Sequence, residues 1–559
     1  MNDRLAALDG ADIDVVILGA GINGAGLFRD LSEQGVACLI VDKADFGSGT
    51  SAAPSRLIHG GLKYLETGEF RLVAESTLER NLLLKNAPHL VHPLPTVIPI
   101  FSWTKGIGAA LRTLFGSTTA PRSRGALLIK IGLALYDFFG ARHRVMPRHR
   151  LVGRKKALAE TPGLTERIVA AGTYYDAAVT APERLVWELV KDGLDACEGS
   201  AAANWTRLVS VDVGLLRFET EQAAEFTVRP KAVVNAAGPW IDRVNAMLGA
   251  PSRLIGGTKG SHLLLDHDDL LERLDGRMIY FEADDGRICL VYGYLGRVLV
   301  GSTDIPADDP DAVCCEDDEI DYFLTSLRGL FPGLVVAREN IVYAYSGIRP
   351  LPASDASAPG LISRDHSAPV NEPVPGRLFA IISLVGGKWT TFRGFAAEVA
   401  DTVLDRLGHR RKISTEALAI GGGRDFPGDD ETRKRWVAAA AGTTGCDPVR
   451  IAELLDRYGT TAREIAAHEA ASPDGHHLRD APDYSLAEID WIARNEQVVH
   501  LDDIVMRRTT LAITGSLSAG DLETIADIAA TALGWDDRRR AKERDMTRHR
   551  LGERHRMRL

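Results

Sequence analysis

Three stretches of small residues, the last of them carrying a lysine, hold the chemistry legible in this sequence. Gly19-Ala20-Gly21-Ile22-Asn23-Gly24 has the spacing G-x-G-x-x-G, and Asp42 stands 23 residues after Gly19. In such a motif the first glycine permits a tight turn and the second lets a pyrophosphate approach the backbone. The third lets a helix seat close to a strand. An acid at the Asp42 position accepts hydrogen bonds from ribose hydroxyls. Asn235-Ala236-Ala237-Gly238-Pro239 and Val385-Gly386-Gly387-Lys388 are two further stretches of small residues, each closing an apolar run. Backbone so bare of side chains admits a ligand at close range. Lys388 adds a cation to the last of these stretches.

The elements around these residues place them. Ile13–Leu18 reads as a short strand ending at Gly19, a helical pattern runs from Ile22 to about Gln34, and Val36–Val41 is a second strand ending at Asp42. This is a Rossmann-like strand–turn–helix–strand unit. The helix start adds N–H donors and a positive dipole end for phosphates. Leu378–Val385 reads as another buried strand, followed by a helix from about Thr390 to Leu407. The motif alone does not separate NAD from FAD. Three small-residue strand ends, the first near the N-terminus of a long chain, suit an extended ligand such as FAD better than a second NAD. Residues 254–342 look β-rich, and the pattern after Gly408 is helical.

Composition sets the outer limits. The 559 residues hold 45% apolar and 25% charged side chains, the profile of a globular protein of two to four domains. With 66 basic and 76 acidic residues the net charge is −10, and nothing global favours nucleic acid. The six cysteines form no C-x-x-C pair, so neither a metal site nor a disulfide framework is expected, and the usage fits a reducing compartment. Met1 to Asp14 carries five charges and no apolar run, unlike a secretory signal, and no run of 18 apolar residues suggests a spanning helix. Phe101–Lys156 differs from the rest, with twelve Lys or Arg against the single acid Asp137. Its apolar helical segments, Ile107–Phe115 and Ala126–Phe139, precede basic residues that include Arg142, Arg144 and Arg148. That arrangement suits an anionic membrane surface; the alternative is a core helix followed by a solvated basic loop. The Arg-rich tail from Arg538 reads as a solvated, fraying helix end.

At these residues the chain resembles the FAD-dependent glycerol-3-phosphate dehydrogenases of the aerobic type, within the D-amino-acid-oxidase-like flavoproteins. The matching stretches are GAGINGAG (19–26), SRLIHGGLKYLE (55–66), EFRLVAE (69–75), APHL (87–90), NAAGPW (235–240), KGSH (259–262), GSTD (301–304), YSGIRPL (345–351), SRDH (363–366) and GGKWTTFR (386–393). The resemblance implies oxidation of glycerol 3-phosphate at C2 to dihydroxyacetone phosphate, with hydride passing to flavin N5 and electrons to quinone. It implies His262, Arg349, Arg364 and Lys388 as active-site residues, with Lys63, Tyr64, Arg349 and Arg364 on the substrate; guanidinium groups suit bidentate recognition of oxygen anions, and a histidine, with an ordinary pKa near ~6.5, suits proton transfer. It implies Gly19, Gly21, Ile22, Asn23, Gly24, Asp42, Thr50, Ser51, His59, Gly60, Ala237, Gly238, Gly387, Lys388 and Thr390 around the cofactor. It further implies a homodimer in the cytoplasm, peripheral on the inner face of the cytoplasmic membrane.

The expected architecture is α/β: a Rossmann-like FAD-binding domain, an interleaved antiparallel β-rich substrate domain and a helical C-terminal domain. The boundaries implied are 1–95, 165–253 and 343–407 for the first, 96–164 and 254–342 for the second, and 408–559 for the third. Several residues depart from the family pattern. Lys63 stands for the commoner Arg, Asp42 for Glu, Tyr292-Gly293-Tyr294 where a Pro-Trp pair is usual, and Trp389 for a smaller aliphatic; Phe101–Arg124 looks longer than usual. These leave open another polyol phosphate, such as erythritol phosphate. Oxygen instead of quinone as acceptor, an NAD-dependent enzyme, and a non-catalytic flavoprotein binding nucleic acid or a partner are the other readings.

Overall fold

A computed structural model describes residues 3–65, 68–103, 125–143, 145–283, 285–307, 309–353, 365–472 and 475–559, with the side chains of residues 3, 4 and 63 outside that description. Arg364, the Ile107–Phe115 segment and Arg144 therefore lie outside the described residues.

The strands that build the site are, in chain order, β1 (Ala11–Leu18), β2 (Cys38–Val41), β3 (Val91–Ile100), β4 (Ala170–Val179), β5 (Ala201–Ala203), β6 (Glu225–Asn235), β7 (Ile255–Leu265), β8 (Met278–Glu282), β9 (Ile288–Tyr294), β10 (Arg297–Gly301), β11 (Ile341–Pro352) and β12 (Ala380–Ser383). The first sheet carries the parallel run β12-β6-β1-β2-β5. Its strands are buried on both faces, as parallel sheets require. Helices α1 (Ile22–Glu33), α2 (Phe70–Asn86), α3 (Ala126–Phe139), α4 (Pro182–Ala196) and α5 (Phe392–Leu407) follow in chain order. On one face of the first sheet, α1 is flanked by α4 and α5. There Leu27, Phe28, Val186, Val190, Phe395 and Val399 form a core with Ile17, Ile40 and Val234.

The second sheet runs β7-β10-β9-β8-β3-β4, with β11 on the other side of β7. Its pairs are antiparallel except β8 with β3. This sheet recruits β4 and β11 from segments expected in the nucleotide-binding part. The sequence holds no signal for that choice, because β4 is buried along nearly its whole length and would suit either sheet. Register decides the site: His262 on β7 lies opposite Tyr345 on β11, and Thr258 opposite Arg349.

Beyond α5 the chain is mainly helical, ending in α6 (Leu486–Asn495), α7 (Ala519–Leu533) and α8 (Asp537–His555). The tail is docked, which corrects the expectation of a fraying end. Glu543, Thr547 and Leu551 are buried along one side of α8. His555 stacks on Tyr343 of β11 at 4.6 Å between ring centres, and its ring Nδ1 bonds the Ala344 carbonyl at 3.0 Å. Arg556 pairs with Asp317 at 2.8 Å. A second tie runs from Asp45, just past β2. Its buried carboxylate receives Arg507 at 2.6 Å and Arg508 at 2.7 Å, and Arg184 on α4 pairs with Glu496 at 2.8 Å.

Candidate active site

A cavity of about 1260 Å³ begins at the carboxyl ends of β1 and β6 and runs between the two sheets to His555. The three small-residue strand ends are neighbours there, because β12, β6 and β1 lie side by side and parallel. Gly19 has φ +107°, and a Cβ on it would stand 2.6 Å from the Ala236 carbonyl oxygen. A Cβ on Gly24 would collide with the Gly19 carbonyl, so the turn closes only with glycine at both positions. Ser51 Oγ accepts the Ile22 N–H at 2.9 Å. Asp42 receives the N–H groups of Ala20 (2.8 Å) and Ala44 (3.0 Å), and burial pushes its carboxyl up to about 6. The cradle fits a dinucleotide: bare strand ends, a helix start and an acid line one cavity, whose volume exceeds that of a single small ligand.

The other part of the cavity is cationic and aromatic. Arg349 reaches it from β11, with Nη1 2.9 Å from Asp304 Oδ1 and Nη2 2.9 Å from Ser302 Oγ. The Thr303 carbonyl receives both Nη atoms, at 3.1 and 3.2 Å. A guanidinium held on these acceptors keeps one orientation. Lys388 Nζ sits 3.6 Å from the centre of the Tyr64 ring, a cation–π contact. His59 lines the same space, its ring 6.2 Å from that of Tyr64.

His262 lies in this wall with almost no surface of its own exposed. It is 1% exposed and stacks on Tyr345 at 4.8 Å. Ser55 Oγ lies 2.8 Å from its Nε2, while Nδ1 is buried and has no partner among the described residues. Burial, then the charges of Arg349 and Arg56, hold the imidazole well below its ordinary pKa, so it is neutral. Three tyrosine hydroxyls fix the segment that carries Ser55. Tyr345 donates to the Pro54 carbonyl (2.9 Å), Tyr292 to the Ser55 carbonyl (3.1 Å), and Tyr294 to Thr180 while accepting from Arg56 (2.9 Å). Arg56 is in turn held by Glu183 at 2.7 Å. The departures Tyr292 and Tyr294 therefore hold a loop in place.

Most residues singled out in the sequence meet in this cavity. Gly19, Gly21, Ile22, Asn23, Asp42, Thr50, Ser51, His59, Tyr64, Ala237, Gly238, His262, Arg349, Gly387, Lys388 and Thr390 all line it. Gly24 stands behind, under the turn. Gly60 does too: its N–H is taken by Tyr136 (2.9 Å) and Asp176 (3.0 Å), which removes it as a donor to a cofactor. The Thr50 hydroxyl is likewise taken, by the Ile348 carbonyl at 2.6 Å. Sequence reasoning missed Ser55, Arg56, Ser302 and Asp304 as individuals. All four stand inside the matched stretches SRLIHGGLKYLE and GSTD, so the signal was present without a role attached.

Comparisons with known proteins agree on the whole chain. The family profile for FAD dependent oxidoreductases matches residues 14–402, and that for the C-terminal domain of alpha-glycerophosphate oxidase matches residues 413–540. A glycerol-3-phosphate dehydrogenase of a Synechocystis strain is 32% identical over 93% of both chains. The aerobic glycerol-3-phosphate dehydrogenase of Staphylococcus aureus is 28% identical over 89% of this chain and 86% of its own. Among solved structures, the glycerol-3-phosphate dehydrogenase from Bacillus halodurans, complexed with FAD, superposes with a TM-score of 0.75 at 21% identity, covering 99% of this chain and 97% of that one. The L-alpha-glycerophosphate oxidase from Mycoplasma pneumoniae gives 0.53 at 16% identity over 73% of this chain and 98% of its own.

Proposed function

The chain belongs to the FAD-dependent oxidoreductases of the glycerol-3-phosphate dehydrogenase and oxidase type, and we propose that it oxidises sn-glycerol 3-phosphate at C2 to dihydroxyacetone phosphate and delivers the electrons to quinone. The observation that carries this reading is the single cavity in which the dinucleotide cradle continues into the pocket of Arg349, Lys388 and Tyr64. The cofactor, FAD, supplies the two-electron acceptor for the C2 hydride. Gly19, Gly21, Asp42, Ala237, Gly238 and Gly387 would hold its nucleotide and phosphates. Arg349 binds the substrate phosphate, held to one orientation by Asp304 and Ser302. Lys388 and Tyr64 close the other side of that pocket and exclude water from the reacting carbon.

The test is an anaerobic visible spectrum before and after adding glycerol 3-phosphate. Bleaching of the flavin band is expected. A band that persists, and bleaches instead with another polyol phosphate, would move the substrate assignment. The bleached protein then takes quinone in liposomes or dissolved oxygen. Faster return of colour with quinone supports the dehydrogenase, and faster return with oxygen supports the oxidase.

Quinone dissolves in membranes, and α3 offers a contact with one. Ala126, Ile129, Leu133 and Tyr136 are buried on one face of this helix, whereas Leu127, Ile131 and Phe138 are exposed on the other. Phe70 and Trp103 extend the apolar patch, and the exposed Lys130, Arg142 and Arg148 add positive charge around it. Such a patch on a helix suits the interface of an anionic bilayer. Among the described residues no helix is long and apolar enough to cross one. Wild-type protein should float with anionic liposomes in a density gradient. The triple variant Leu127→Ser, Ile131→Ser, Phe138→Ser should stay at the bottom with full flavin content; flotation of both would dismiss the patch.

A further inference from the structure

Neither ring nitrogen of His262 is open to a ligand. Nε2 is engaged by Ser55 Oγ at 2.8 Å, and Nδ1 is sealed inside the protein. The Cδ2 edge of the ring is closed too, since it lies against Gly301, leaving no room there even for a Cβ. Ser55, by contrast, is half-buried and lines the cavity. A group in the cavity therefore meets the Ser55 hydroxyl first, with the imidazole behind it. The hydroxyl is also held in place: the carbonyls of Pro54 and Ser55 are fixed by Tyr345 and Tyr292, and the next side chain, Arg56, is locked by Glu183 and Tyr294.

We propose that Ser55 and His262 form one proton-accepting unit, in which Ser55 is the member that touches the substrate. This rests on the reading of the protein as an alcohol-oxidising enzyme. The substrate C2 hydroxyl gives its proton to Ser55 Oγ while the Ser55 proton passes to His262 Nε2. At the same carbon the C–H bond breaks and its electron pair leaves with the hydrogen to the FAD of that reaction, so the carbon becomes a ketone. His262 ends protonated and returns the proton through Ser55 after product leaves. In the resting state the Ser55 O–H donates to Nε2, which places the single ring proton on Nδ1. Burial, Arg349 and Arg56 all oppose the protonated state in the empty cavity. A bound phosphate dianion offsets the Arg349 part of that opposition, which favours proton uptake when the ligand is present.

The test measures anaerobic flavin bleaching by glycerol 3-phosphate in the FAD-loaded protein. Loss of a positioned base typically costs about a hundredfold or more in rate. Ser55→Ala should slow bleaching about a hundredfold, and Ser55→Thr, which restores a hydroxyl, should recover most of it. His262→Gln should be slow to a similar degree, and the double variant no slower than either single one, because the two act as a unit. Spectral titration with dihydroxyacetone phosphate, which has no hydroxyl at C2, should give wild-type affinity within about threefold in Ser55→Ala. Bleaching of Ser55→Ala at the wild-type rate overturns the proposal, and so does a parallel loss of product affinity and flavin content, the mark of a merely structural serine. Wild-type protein that no polyol phosphate bleaches would remove the functional reading itself, and the unit with it.

Discussion

Arg349→Ala raises the KM for glycerol 3-phosphate about a hundred- to a thousandfold, with kcat much less affected and flavin content unchanged. Removing one partner of a desolvated charge pair costs about 2–5 kcal/mol, and each ~1.4 kcal/mol is tenfold. Two features keep this residue clear of the bottom of that range. Its guanidinium is already oriented by Ser302, Thr303 and Asp304, so little conformational freedom is lost when a phosphate arrives. Its removal also leaves Asp304, half-buried at 2.9 Å from the lost group, facing the incoming anion. The double variant Arg349→Ala, Asp304→Asn should therefore bind better than the single one. Arg349→Lys should not restore wild-type binding, because an ammonium cannot replace a fork held on several acceptors. Steady-state kinetics beside a flavin spectrum decide the matter. Wild-type KM in Arg349→Ala would remove the residue from the phosphate site.

Asp45→Ala has the largest effect on stability, about 3–5 kcal/mol, the usual cost of stripping a buried charge of its partner. Its carboxylate is wholly buried and pairs with two buried guanidinium groups, from Arg507 and Arg508. Burial alone would raise the Asp45 pKa, but the two arginines outweigh it and bring it down to about 2. The sign follows from that depression. The carboxylate stabilises the fold fully above the ordinary carboxyl range and ceases to do so as pH falls through about 2. Near neutral pH the urea midpoint of Asp45→Ala should drop, and proteolysis should release the C-terminal helical part first. At low pH the gap between variant and wild type should narrow. An unchanged midpoint at neutral pH would show that Asp502, Asp503 and Glu496 suffice to hold the two arginines.

What could be read beforehand follows the range of each contact in the chain. The turn at Gly19–Gly24, the acid at Asp42 and the strand ends at Ala237 and Gly387 were legible because each is a local pattern of small residues. That the three ends serve one ligand was legible only as an economy of explanation; the parallel pairing of β12, β6 and β1 supplies the reason. Arg349 and Lys388 came from the family resemblance, since a lone cation has no signature. The Ser55–His262 contact spans 207 residues and the Asp45–Arg508 contact spans 463, and no local pattern announces either. The tail was misread for a different reason. Its charge is high enough to hide a buried side, yet Glu543, Thr547 and Leu551 recur every fourth residue, the spacing of one helix face.

The docking of α8 has a consequence for the order in which the protein is made. Arg550, Arg554 and His555 form part of the cavity wall, and the His555 ring lies on Tyr343, more than two hundred positions earlier in the chain. A nascent chain that has emerged only as far as residue 500 already carries the strand ends and Arg349. It still lacks the wall from α8, so that end of the cavity stands open. That end of the cavity is thus finished by residues made more than two hundred positions after the strand they cover.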